Sequence, residues 1–228
     1  MRSSLAVILL LMRPLVAIAQ PHGHLKAGAS YLHCSDPVGA GHGAHTGHRA
    51  AGMGIHLGVA FETRLNNRFG LRAESLLEAR QVGYDMVQGR VPSDWPSGGE
   101  KISTGDRSTR LLHVQLPVIL TLHEWSLLRL DAGFSTGYLL QANDRIRAVE
   151  TYSGNTHTDI IAERNSMNSM ARWECAVLLG AEVDSGRKLG MALRYLHGLT
   201  DLDRAPGTSP SFPRTWHVSL TYRLRHAG

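Results

Sequence analysis

Two cysteines among 228 residues are too few for a disulfide framework. Past the first twenty positions no run of about 18 apolar residues occurs, which excludes a helical membrane span. Neither sign of charge dominates, since 24 Lys and Arg against 19 Asp and Glu leave a formal net charge of +5. That balance gives no ground for a nucleic-acid partner. Helical spacing of apolar residues is missing as well.

What is present begins with a leader. Arg2 precedes an apolar run from Leu5 to Met12, then Pro14 and the small-residue ending Ala17-Ile18-Ala19 before Gln20. This pattern predicts a secretory signal over 1–19 and one exported domain over 20–228. Loss of Arg2 and Arg13 with the leader takes the net charge from +5 to +3.

The domain alternates. Leu112, Val114, Leu116, Val118, Leu120 and Leu122 share one face of a segment whose other face holds His113, Gln115, Pro117 and Thr121. Apolar residues at period two make a strand with one greasy face. Similar strands are predicted at Leu25 to Tyr31, Met53 to Phe61, Phe69 to Arg80, Leu128 to Leu140, Arg172 to Asp184, Leu189 to Tyr195 and Trp216 to Leu224. Eight strands of this length suit a membrane barrel, for which bacterial single chains use an even number. Their connections alternate too: short links at Asn66-Asn67, Glu124-Trp125 and Ser185-Gly186-Arg187, long ones at 35–51, 85–109, 142–170 and 202–214. Tight periplasmic turns and long external loops produce that alternation.

The polar faces carry Lys26, Arg72, Arg80, Arg129, Arg172, Arg194 and Arg223 against Glu62, Glu74, Glu78, Asp131, Glu174, Glu182 and Asp184. The apolar faces carry no formal charge within the strand centres, as hydrocarbon demands, because Arg or Lys at the midplane costs roughly 2–4 kcal/mol. Expected, therefore, is a closed eight-stranded antiparallel up-and-down transmembrane β-barrel. An eight-stranded barrel is narrow enough to fill with side chains, so Arg72, Glu74, Glu78, Arg80, Arg129, Asp131, Arg172, Glu174, Glu182 and Arg194 are expected as lumen ion pairs that plug it. The competing architecture is a soluble exported ligand-binding barrel with its apolar face inward. Pro117 removes a ladder donor in mid-strand and predicts a bulge or broken pair there.

Several short segments add detail. Leu25-Lys26-Ala27-Gly28, Phe69-Gly70-Leu71-Arg72-Ala73-Glu74, Leu116-Pro117-Val118 and Asp131 to Tyr138 are joined by Gly180-Ala181-Glu182, Leu193 to Leu199 and Leu220-Thr221-Tyr222. Together they resemble the PorT-like outer-membrane β-barrel proteins, across essentially the whole mature chain. The resemblance implies a bacterial outer-membrane location and a structural or interaction role, in some members as a part of secretion machinery. It implies outer-membrane lipid and other envelope or secretion proteins as partners, and neither an enzymatic activity nor a cofactor.

Four constellations stand apart. His42, His45 and His48 recur at spacing three on a Gly-rich segment that can fold around zinc, copper or nickel, or simply remain a solvated loop. His217 and Ser219 lie two apart on the last strand, an arrangement similar to that of outer-membrane lipid A deacylases; the alternative function is thus a lipid-modifying hydrolase. Cys34 and Cys175 fall on strands that are not neighbours, so no bridge between them is expected. Tyr31, Tyr84, Trp125, Tyr138, Trp173 and Trp216 fall near strand ends, where interfacial anchors sit.

Overall fold

The computed structural model describes residues 22–35, 51–86, 90–92, 100–123, 127–152, 156–168, 170–185, 188–201 and 212–224. The leader, the short segments between these ranges and the histidines at 42, 45 and 48 lie outside them.

Ten strands are described, all joined antiparallel: β1 (His22–Ser35), β2 (Ala51–Arg64), β3 (Phe69–Met86), β4 (Arg90–Pro92), β5 (Glu100–Leu122), β6 (Leu128–Tyr152), β7 (Thr156–Asn165), β8 (Trp173–Asp184), β9 (Leu189–Gly198) and β10 (Phe212–Arg223). Eight of them close a cylinder in the order β1, β2, β3, β5, β6, β8, β9, β10, with β10 returning to β1. Among the described residues the short strand β4 pairs only with β5, and β7 only with β6.

The alternating residues divide as hydrocarbon outside and charge inside. Ile55, Leu57, Phe134, Leu179 and Leu220 on the outer surface are each about 60% exposed, whereas Glu78 and Glu182 between the same strands are 0% exposed. The soluble reading, which needs the apolar face within, is thereby overturned. Lys26, Arg72, Arg80 and Arg194 point inward because a closed antiparallel sheet forces every second side chain into one lumen.

Two expectations about the strands need correction. The stretches 85–109 and 142–170 are not simply loops: β3 runs on to Met86, β5 starts as early as Glu100, and β6 continues to Tyr152 before turning back as β7. The sequence there, such as Glu100-Lys101-Ile102-Ser103-Thr104-Gly105-Asp106, carries no apolar alternation, since strands beyond the hydrocarbon have no lipid to face. At Pro117 the β3–β5 ladder passes from Ala73↔Val118 to Leu76↔Gln115, leaving Glu74 and Ser75 without register partners, while the β6 side keeps Pro117↔Ser135. A second irregularity, unforeseen, skips Leu140 between Leu112↔Gln141 and His113↔Leu139. That extra residue turns Leu139 and Ala142 both inward, which a regular strand cannot do.

At the short-turn end, Asn66 Oδ1 accepts hydrogen bonds from the Arg68 and Phe69 amides at 2.8 Å, the local closure that lets β2 reverse into β3. At the other end an outward aromatic cluster crosses neighbouring strands. Tyr31 pairs with Trp216 and Trp216 with Tyr195, the last two rings 4.9 Å apart. Tyr138 pairs with Trp173, their rings also 4.9 Å apart. These residues stand where the apolar bands of their strands end, as interfacial anchors do. Trp125 lies outside the described residues, and Tyr84 is placed only by its backbone in β3.

Candidate functional site: the charged lumen

The lumen is built in layers. Nearest the short turns, Glu62 on β2 faces Arg72 on β3, and the Arg72 Nη2 lies 2.6 Å from Glu62 Oε2. Arg72 also donates to Glu182 on β8 and lies 3.8 Å from Glu74 and 3.7 Å from Asp131. Arg129 on β6 bridges the same acids, at 2.6 Å to Glu182 and 3.2 Å to Glu62. Arg194 on β9 donates to Glu74 at 2.8 Å and to Asp131 at 2.7 Å. Lys26 on β1 completes the set, 3.0 Å from Glu74. Four bases meet four acids, contributed by six strands, so the layer is neutral and ties the cylinder together across its whole width. Arg223 and Asp184, 2.5 Å apart, close its lower rim. Beyond β5 and outside the spanning strands, His123 lies 3.2 Å from Glu62, and burial holds its pKa below the usual imidazole value, with the Glu62 charge opposing that shift.

The next layer centres on Glu78 of β3. Its carboxylate accepts from Ser30 at 2.5 Å, Arg80 at 2.8 Å and Gln115 at 2.6 Å, with His217 Nε2 3.6 Å away. Arg80 reaches on to Glu174 at 3.5 Å, and His113 lies 3.9 Å from the same carboxylate. Beside them His56 Nε2 is 2.9 Å from Ser219 Oγ, and its ring stacks on His217 at 4.8 Å. Gly28 makes room for this stack, because a Cβ there would lie 2.1 Å from the Val218 carbonyl and 2.6 Å from His56 Nε2. Toward the long-loop end the lumen becomes apolar: Leu32, Cys34, Val82, Leu111, Leu139 and Ala142 pack together, with Met167 and Met170 against them.

Of the ten expected lumen residues, Arg72, Glu74, Glu78, Arg80, Arg129, Asp131, Glu174, Glu182 and Arg194 are all buried and connected in these two layers. Arg172 is not. It lies one residue before β8 and is exposed, and its carbonyl accepts from the Leu139 amide. The alternation of β8 does not extend past the strand start, where the chain no longer keeps its phase: Ala171 is buried but Arg172 and Trp173 are both exposed. His217 and Ser219 lie on one face, and that face is inward, as the alternation of the last strand implies, with 3% and 1% exposure. The hydroxyl's partner is His56, and the acid nearest His217 is Glu78; sequence spacing pointed to neither, because His56 and Ser219 are 163 positions apart. Among the described residues no group of three or more His, Cys, Asp or Glu is arranged to hold a metal. Cys34 lies in the lumen and Cys175 half-buried on the outer face of β8, and no bridge joins them.

Comparison with known proteins places these features. A family model described as "Outer membrane protein beta-barrel domain" matches residues 24–204. Among solved structures, Ail, the attachment invasion locus protein of Yersinia pestis, aligns with TM-score 0.43 and 11% identity over 90% of this chain and 99% of its own. Neisserial surface protein A aligns with TM-score 0.43 and 12% identity over 89% and 97%. The outer membrane protease OmpT from Escherichia coli aligns with TM-score 0.35 and 7% identity over 91% and 98%. The search of curated proteins gave no match.

Proposed function

Because this chain belongs to the outer membrane protein β-barrel domain family, we propose that it is a non-enzymatic outer-membrane interaction protein that presents a raised sheet to an envelope partner. The observation carrying this reading is the length of β5 and β6. Beyond the aromatic residue Tyr138, β6 runs on to Tyr152, about 45 Å of extended chain, paired throughout with β5 or β7. Strands that only had to cross the bilayer would need about 9–11 residues. The neutral, filled lumen supports a barrel that anchors the sheet without passing solutes. Among the described residues β4 and β7 each have one paired side and stand at the two ends of the sheet, as edges that receive an added strand do. A secretion-apparatus subunit is the partner class in keeping with the resemblance to PorT-like proteins.

Photo-crosslinkers installed in living cells at Thr158 and Ile160 of β7 test the proposal. The same envelope protein should be captured from both positions and not from Leu179 in the lipid band. Capture of nothing at either β7 position, or equal capture at Leu179, would sink it.

A second reading rests on the 2.9 Å contact of Ser219 Oγ with His56 Nε2: a hydrolase acting on membrane lipid. It requires lipid to reach a hydroxyl that is 1% exposed inside the lumen. Ser219→Ala should therefore leave lipid A composition unchanged by mass spectrometry; a lost modification would put this reading first.

A further inference from the structure

The two charged layers of the lumen do not balance alike. Around Arg72 four bases answer four acids, but the next layer sets Arg80 alone against two carboxylates, Glu78 and Glu174. Glu78 accepts from Ser30, Arg80 and Gln115, the acceptor-only behaviour of an ionised carboxylate. Glu174 lies 3.5 Å from the same guanidinium. Asp144, nearer the long-connection end, has Arg164 at 3.5 Å and stands outside this count. Among the described residues the second layer is therefore one positive charge short, at carboxylates that are 0% and 8% exposed. A buried charge without a counter-charge is so unfavourable that a titratable neighbour changes its protonation state instead.

Three imidazoles share the layer, His56 on β2, His113 on β5 and His217 on β10, all buried. His217 Nε2 stands 3.6 Å from Glu78 Oε1, and His113 Nε2 stands 3.9 Å from Glu174 Oε2. His56 stacks on His217 and meets Ser219 through its Nε2. Two bases of the balanced layer also face the stack. Lys26 on β1 is held by Glu74 at 3.0 Å, and Arg194 on β9, the register partner of His217, is held by Glu74 and Asp131. Neither is free to answer the excess acid. We propose that the second layer is a buried proton-binding site, in which one imidazolium among His56, His113 and His217 supplies the missing positive charge at neutral pH. His217, beside Glu78, is the nearest seat by distance. Loss of that proton strands a carboxylate inside the cylinder, so the lumen is a lock that weakens as the medium turns alkaline. The unfolded chain has released its imidazole protons by about pH 8, whereas the folded chain still holds one there. Native protein then binds one proton more than unfolded protein, and stability falls as pH rises. The site is independent of whatever the raised sheet binds.

NMR of the ring nitrogens in histidine-labelled protein, held in lipid nanodiscs at about pH 8 where solvent-exposed imidazoles are neutral, reads the site directly. One ring protonated on both nitrogens, assigned to His56, His113 or His217, is expected. Glu174→Gln removes the excess acid and should abolish that signal while leaving Arg80 paired with Glu78. Denaturant unfolding from lipid vesicles gives a second reading. On the alkaline side of neutrality the parent's folding equilibrium constant should fall by up to about tenfold per pH unit, and that of Glu174→Gln should fall less. Three neutral rings in the parent would overturn the site, a result that needs no variant to fold. An imidazolium persisting in Glu174→Gln, or equal pH dependence of the two chains, would overturn it as well.

Discussion

Arg72 touches four carboxylates, Glu62, Glu74, Asp131 and Glu182, at a depth where it is 1% exposed. Removing it leaves the four acids to share three bases, Lys26, Arg129 and Arg194, so one buried negative charge goes uncompensated. Breaking a buried pair on one side costs about 3–5 kcal/mol, far more than the pair's net worth against apolar replacements. Arg72→Met should therefore lower the stability of the barrel by about that amount in denaturant unfolding from lipid vesicles. Arg172→Gln, an exposed site outside the network, should change it by no more than about 0.5 kcal/mol. A similar loss in both variants would contradict the separation drawn between them. The lipid face obeys the opposite rule: Leu179→Arg, at a position 58% exposed to the bilayer, should cost roughly 2–4 kcal/mol near the midplane.

At the scale of elements, what could be read in advance follows from which surfaces meet hydrocarbon. Leu112 to Leu122 announced a strand because lipid selects one face and the lumen the other. The outer halves of β5 and β6, from Glu100 and up to Tyr152, announced nothing, since no lipid imposes alternation there. Pro117 marked its own disturbance through the missing donor, whereas the skip at Leu140 left no mark, because a bulge needs no special residue. Most inward residues were identifiable by phase; their partners were not, because contacts such as Arg72 with Glu182 join strands far apart in the chain. Among the described residues β7 pairs only with β6, while outer β6 also pairs with β5, so the raised hairpin lies beyond the strands that close the cylinder. Replacing 146–162 by a short Gly-Ser turn should preserve heat-modifiable migration on unheated gels while abolishing crosslinks to a partner. Loss of the compact band would show that the hairpin is required for closure.

For the molecule as a whole, a sheet closed on itself is greasy outside and self-neutralising within, as a membrane location requires. Its outer-membrane placement follows from family membership and agrees with the outward aromatics. Leu178 and Leu179 embody this division, adjacent in sequence at 1% and 58% exposure. Selective methyl labelling of leucine in lipid nanodiscs therefore tests the central claim without any substitution. Magnetisation should pass from acyl-chain methylenes to the methyls of Leu179, Leu193 and Leu220, and not to those of Leu32, Leu178 or Leu196. Transfer to the second group, or its absence from the first, would mean that the faces are reversed.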